Sequence, residues 1–184
     1  MSRLAGWYGK LPSLGDFASR RLPQDWIEGW DHWLAEGLQD LRQAAPRDWL
    51  NDYLASPAWR FALLPGVLEP ELRVGVLMPS VDSVGRYYPL VICSPNLDAP
   101  ASLADVQALW HWAGRLEDVA VGALQQDWSP EQLDAALGAL PAAAASEPTL
   151  PPDDAGLGGL CAEAAWQALQ GHTLWGTGSQ SPRP

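Results

Sequence analysis

Apolar residues change their spacing twice along this sequence, and these changes constrain the fold more than any other feature. Between residues 26 and 41 they recur every three or four positions, as on one face of an amphipathic helix. Between residues 59 and 93 they form three short runs separated by Pro and Gly, which is typical of strands. Helical spacing returns from Leu103. The two periods together predict one mixed α/β (α+β) sandwich, in which helices flank a largely antiparallel sheet.

The same periods give the order of the elements. Strands are predicted at residues 4–10, 59–64, 74–78 and 87–93, and a last one begins at Leu174 and is cut off by a polar tail. Helices are predicted at residues 23–41, 48–54, 103–124, 130–140 and 157–170, the fourth opened by Ser129 as a cap with Pro130 behind it. A Pro- and Ala-rich linker is predicted at 141–154 and a polar tail at 178–184, within a single domain that spans residues 1–184.

Charge and composition exclude several functional classes. The formal net charge is −11, whereas a general nucleic-acid binder needs clustered Lys and Arg to neutralise phosphates. Cys93 and Cys161 lie far apart without a metal-binding or redox spacing, so they are interpreted as buried thiols of a reducing compartment. The N-terminus lacks the apolar core of a signal peptide, and no 18 apolar residues run together. These features predict a cytoplasmic protein without a membrane span or a cofactor.

Tryptophan is the dominant aromatic residue, with eleven Trp against two Phe and four Tyr. Trp7 and Trp59 lie on predicted strands and are expected in the core. Trp26, Trp30 and Trp33 crowd the first helix, where packing onto the sheet is the favoured interpretation. Because three indoles cannot all point in one direction, part of this surface is expected to stay exposed for a protein partner.

Polar residues are densest in two predicted loops. They are Lys10, Asp16 and Arg20 in the first loop and Ser80, Asp82 and Arg86 in the second. In a catalytic interpretation an Asp acts as base or metal ligand and Arg86 clamps an anion. In a structural one, Asp82 and Arg86 pair or cap loop backbone. The structural interpretation is favoured, because no His or Cys nucleophile accompanies the carboxylates.

Three segments carry longer motifs: GWYGKLPSLGDF at residues 6–17, SPAWRF at residues 56–61 and GVLMPSVDSVGRYYPL at residues 75–90. A further LWGTGS follows at residues 174–179. Taken together, these segments resemble the TagF (ImpM) family of type VI secretion accessory proteins. The family normally continues through another strand and helix after the last motif, whereas this sequence ends at Pro184. We therefore expect the sheet to lack that strand and helix.

The resemblance implies a cytoplasmic bacterial protein of longin-like fold that is not an enzyme. It implies a post-translational, negative regulator of secretion-system assembly that binds the forkhead-associated scaffold protein. The residues predicted to contact the partner are Lys10, Asp16, Arg20, Trp30, Trp33, Ser80, Asp82 and Arg86. Two alternatives stay open: a small metal-dependent hydrolase or phosphatase using Asp16 and Asp82, and a purely structural longin-like adaptor.

Overall fold

In the described part of the chain, an antiparallel sheet of six strands forms the middle layer. The computed structural model describes residues 4–98, 100, 103–141 and 173–177. The strands are β1 (Gly6–Gly9), β2 (Ala18–Arg20), β3 (Trp59–Leu63), β4 (Arg73–Met78), β5 (Leu90–Cys93) and β6 (Thr173–Thr177). Across the sheet the order is β2, β1, β5, β4, β3 and β6, and every neighbouring pair is antiparallel.

The described part of the chain contains four helices, three of which cover the two faces of this sheet. The four are α1 (Gln24–Ala44), α2 (Trp49–Ala55), α3 (Leu103–Gln125) and α4 (Pro130–Ala139). Successive side chains of a strand point to opposite faces of the sheet. All four residues of β5 are buried, so both faces of the sheet are covered there. Val91 and Cys93 pack with α1, whereas Leu90 and Ile92 pack with α3 and α4. The sheet is therefore covered by α1 on one face and by α3 and α4 on the other.

The α1 face is built from aromatic side chains. Trp26, Ile27, Trp30 and Leu34 are buried at helical spacing, and they pack against strand residues such as Phe61. The rings of Trp26 and Trp30 stack with centroids 5.1 Å apart. Stacked pairs of this kind contribute about 0.5–1.5 kcal/mol beyond the burial of their surface. The predicted packing of the first helix onto the sheet is confirmed.

The opposite face begins with a well-capped helix. Ser129 Oγ accepts from the backbone N–H of Gln132, and the Gln132 side chain accepts from the Ser129 N–H, which together form a capping box. Pro130 stands in the first turn, where its missing N–H costs nothing. This N-terminus confirms the helix start predicted from Ser129 and Pro130.

The structure differs from the sequence-based expectations at three places. The three-residue strand β2 lies where a loop was predicted, and β5 begins at Leu90 rather than at residue 87. Trp59 was expected in the core, but 37% of it is exposed because it lies at the end of β3. The predicted helix at 157–170 and the tail at 178–184 lie outside the described residues, as does most of the linker. No helix in the described part of the chain is long and apolar enough to cross a membrane.

Candidate functional site

A buried carboxylate organises the loop between β4 and β5. The Asp82 side chain is fully buried, and Lys10, which directly follows β1, donates its ammonium to Asp82 Oδ2. Arg86 Nε donates to the same oxygen at 2.7 Å, while its side chain stays 56% exposed. Hydrogen bonds between charged partners are among the strongest in proteins. Asp82 therefore ties its own loop to the end of β1.

The second oxygen of Asp82 holds the loop backbone. Asp82 Oδ1 accepts from the N–H groups of Val84 at 3.1 Å and Arg86 at 2.9 Å. Gly85, between them, has φ +83°, a conformation that favours glycine. Burial by itself would raise the pKa of Asp82, but the hydrogen bonds from Lys10, Arg86 and Val84 hold that pKa well below the usual 3.8. All four acceptor positions of the carboxylate are thus occupied by donors.

Ser80 joins this loop to two further elements. Its Oγ donates to the Lys10 carbonyl oxygen at 2.7 Å. The Tyr53 hydroxyl, on α2, donates to the Ser80 carbonyl oxygen at 2.9 Å and accepts from the Ser80 N–H at 2.8 Å. Burial raises the pKa of Tyr53, which keeps the phenol protonated as a donor. We call Lys10, Tyr53, Ser80, Asp82 and Arg86 the loop clamp.

The loop clamp makes a testable prediction about acid stability. Because the pKa of Asp82 is lower in the folded protein than its usual 3.8, its ionised form stabilises the fold fully above that value. The stabilisation is lost as the pH falls below it. We expect the difference in melting temperature between the wild type and Asp82→Asn to shrink when the pH is lowered from about 7 to about 3. Differential scanning calorimetry at a series of pH values measures it, and a pH-independent difference would contradict this role.

Asp16 and Arg20 lie outside the loop clamp. Asp16 is exposed and accepts from the N–H of its neighbour Phe17 at 2.8 Å. The Arg20 side chain is half-exposed and points to α4, where its Nε lies 3.7 Å from Asp134 Oδ2. The link from Asp16 to the clamp is its neighbour Gly15, whose carbonyl oxygen accepts from Arg86. The two predicted loops therefore meet through Lys10 and Arg86, while Arg20 belongs to the β2 edge.

A polar groove of about 500 Å³ lies beside this edge. Tyr8 and Asp31 line this groove, and the hydroxyls of Tyr8 and of Tyr88 behind it both donate to Asp31 Oδ1, at 2.5 and 2.6 Å. Burial and the hydrogen bond to Asp31 raise the pKa of both phenols. Arg20 and Glu28 also line the groove, so it carries charges of both signs. Its polar groups are largely occupied with one another.

Of the two α1 tryptophans that were predicted to contact a partner, one is buried and one is exposed. Trp30 is buried between Trp26 and Phe61, with ring centroids 5.1 and 5.0 Å away. Trp33 is 49% exposed, although its ring lies 5.3 Å from that of Trp30. The predicted exposure of part of this indole surface is confirmed, and Trp33 is the residue that provides it.

Trp33 belongs to an apolar groove that the sequence analysis missed. The groove has a volume of about 490 Å³ and lies between α1, α2 and the ends of β3 and β4. Its main lining residues are Trp33, Gly37, Leu41, Trp59, Leu77 and Met78. Trp59 and Leu77 are opposite each other in the β3–β4 register and face the α1 side of the sheet. We call this feature the aromatic groove. An apolar cleft with two exposed indoles has the composition of a protein-binding surface.

One residue of the groove, Gly37, carries a signal in the sequence, although that signal alone does not locate the groove. Glycine inside a helix costs about 1 kcal/mol relative to alanine, so Gly37 within the amphipathic α1 needs a reason. A Cβ at Gly37 would meet no atom within 4 Å, so close packing is not that reason. Gly37 lines the groove between Trp33 and Leu41, where a residue without a side chain leaves the wall of the groove open.

Comparison with known proteins gives two findings. A family model for the TagF N-terminal domain, described as type VI secretion system-associated, matches residues 6–140. The crystal structure of PA0076 from Pseudomonas aeruginosa PAO1 superimposes with a TM-score of 0.74 at 34% sequence identity. That match covers 93% of this chain and 80% of the other. No relative among curated proteins matches the chain.

Proposed function

The chain belongs to the TagF family of type VI secretion system-associated proteins, and from that premise we propose that it regulates this system by binding another of its proteins. The proposed partner is the scaffold protein with a forkhead-associated domain. The proposed effect is negative and post-translational, because a bound scaffold would be withheld from assembly. We place the complex in the bacterial cytoplasm, where Cys93 would stay reduced; burial raises the pKa of this thiol to about 12 and makes it unreactive.

The observation that carries this proposal is the aromatic groove. Trp33 and Trp59 each expose a large apolar side chain on the same concave surface. Tryptophan is enriched among the residues that dominate the energy of protein interfaces. An apolar groove of about 490 Å³ can accept several side chains of a partner and remove both indoles from water.

The loop clamp has a supporting role in this proposal. Lys10, Ser80 and Asp82 are almost fully buried, so in this conformation their side chains are turned toward the protein rather than toward a partner. Through Tyr53 the clamp fixes α2, and Tyr53 also lines the aromatic groove. We propose that these residues act on partner binding by holding the groove in shape. Contact of the exposed Asp16, Arg20 and Arg86 with a partner stays a prediction.

The hydrolase alternative depends on Asp82 as a metal ligand. Its four acceptor positions are already taken by Lys10, Arg86 and two backbone N–H groups, and two of these donors are cations. A divalent ion would have to displace them. Within the described ranges, no group of three or more His, Cys, Asp or Glu residues is arranged to hold a metal ion. The observations therefore favour binding over metal-assisted hydrolysis.

A purely structural adaptor would not need the aromatic groove, whereas the proposed regulator would. Gly37→Gln tests this, because the new side chain enters the groove while the added Cβ meets nothing within 4 Å. Gly138→Gln is the matched control on α4, where the added Cβ is equally unhindered. We expect pull-down of the scaffold to be lost with Gly37→Gln and kept with Gly138→Gln, while both variants melt at or slightly above the wild-type temperature, because each replaces a helical glycine. Equal capture by both variants would remove the groove from the interface.

A further inference from the structure

The rim of the aromatic groove is acidic. Asp52 lines the groove directly from α2. Glu36 and Asp40 are exposed on α1 and follow Trp33 and Gly37 by three residues, which makes them neighbours on the helix surface. The groove therefore combines an apolar floor with carboxylates along both helical walls.

The nearby basic residues Arg42, Arg47 and His32 leave most of this rim unpaired, since among the described ion pairs only His32 approaches one of its carboxylates. The guanidinium of Arg42 lies 4.5 Å from the ring centroid of Trp49, outside the groove lining. His32 Nε2 lies 3.4 Å from Glu36 Oε1, while Asp40 and Asp52 have no basic partner among the described ion pairs. An occupant of the groove would therefore meet a net negative field.

The shape of the groove restricts the backbone of an occupant. The strands at its floor, β3 and β4, are each paired on both sides, β3 with β4 and β6, and β4 with β3 and β5, so neither offers a free edge to an added strand. Along α1 the groove extends from Trp33 to Leu41, which is eight residues or about 12 Å. That length fits two turns of a helix that projects side chains at i, i+3, i+4 and i+7 into the groove.

We infer that the aromatic groove binds an amphipathic helix of the partner protein. One face of that helix carries large apolar side chains, and Lys or Arg residues flank this face. The inference rests on the proposed function and specifies the partner segment. A second copy of this chain is disfavoured as the occupant, because two acidic rims would face each other and the chain carries a net charge of −11.

Two synthetic peptides of about sixteen residues test the charge requirement. Both carry the same leucine face and no tryptophan; one has lysine at the flanking positions and the other has glutamate. Binding is measured by isothermal titration calorimetry at several salt concentrations. We expect the lysine peptide to bind on the order of tenfold or more tighter at low salt, with a preference that falls as salt rises. Equal affinities, or no binding of the lysine peptide, would overturn the inference.

Variants of this chain locate the effect in the groove. Gly37→Gln is expected to abolish lysine-peptide binding, while Gly138→Gln preserves it. The triple variant Glu36→Gln/Asp40→Asn/Asp52→Asn is expected to bind the lysine peptide on the order of tenfold more weakly and with less salt dependence. Binding that survives Gly37→Gln would place the peptide outside the groove, and a dimer of this chain that Gly37→Gln dissociates in sedimentation experiments would make a second copy the occupant. Either result would overturn the inference.

The same variants separate failure of this inference from failure of the proposed function. If the scaffold is captured by the wild type and by the triple variant equally, but not by Gly37→Gln, the groove binds the scaffold without a basic helix. In that case the inference is wrong and the proposed function stands. If the wild type captures no scaffold at all, the proposed partner is wrong, whatever the peptides do.

Discussion

Replacing Asp82 by asparagine is expected to lower the melting temperature on the order of 10 °C. The substitution removes a buried negative charge while Lys10, whose side chain is only 4% exposed, stays in place. Asparagine has one acceptor oxygen and an NH₂ group in place of two acceptor oxygens. One of the two acceptor atoms of Asp82 is therefore lost, although Oδ2 alone receives both cations. A buried charge that loses its partner is among the most costly changes that a single substitution makes. Thermal unfolding followed by circular dichroism measures the effect.

Asp16→Asn is the matched control for this prediction. Asp16 is exposed, and its one described contact is with the N–H of the next residue. The same chemical change there should therefore alter the melting temperature by a few degrees at most. A double variant, Lys10→Met/Asp82→Leu, should be less destabilised than the sum of its single changes, because it removes opposite charges together. Equal effects at Asp16 and Asp82 would show that the loop clamp does not stabilise the fold.

Replacing both exposed indoles of the groove, in Trp33→Ala/Trp59→Ala, is expected to weaken scaffold binding on the order of 100-fold or more. Each side chain exposes apolar surface that a partner would cover, and such anchors typically contribute about 2 kcal/mol or more to binding. The cost to folding should be moderate, since both residues are already partly in water. Surface plasmon resonance with immobilised scaffold measures the change in affinity.

Phe17→Ala controls for the general loss of exposed aromatic surface. Phe17 is 43% exposed, close to the exposure of Trp33, but it lies beside Tyr8 and Tyr88 at the polar groove. We expect the affinity of the Phe17→Ala variant for the scaffold to stay within about threefold of the wild-type affinity. If Phe17→Ala weakens binding as much as the double tryptophan variant does, the interface lies elsewhere or extends over both grooves.

The order of elements was predictable because hydrophobic spacing reports it directly. Helix α1 and strands β3 to β5 each bury a regular set of apolar side chains, and their positions were predicted to within a few residues. Strand β2 escaped prediction because it has three residues, none of them fully buried. It becomes a strand only because its backbone pairs with β1. A pairing of that kind has no signature in local sequence.

The candidate site was predictable only in part. Residue types suggested that Asp82 pairs with Arg86, and the structure confirms that ion pair. The closer link from Asp82 to Lys10 joins residues 72 positions apart, which spacing within one segment cannot reveal. The aromatic groove combines two helices and two strands in the same way, so neither Trp59 nor Gly37 stood out as part of it. The resemblance to the TagF family, in contrast, was carried by contiguous motifs and is confirmed.

Hydrogen–deuterium exchange of the wild-type chain, alone and with the forkhead-associated scaffold, tests the central claim most directly. It reports on every segment of the backbone without any substitution. We expect slower exchange in the complex at residues 33–41, 52–56 and 59, which surround the aromatic groove. Exchange on the exposed side of α4 should be unchanged. Protection confined to α3 and α4 or to the β2 edge, or no protection at all, would contradict the account.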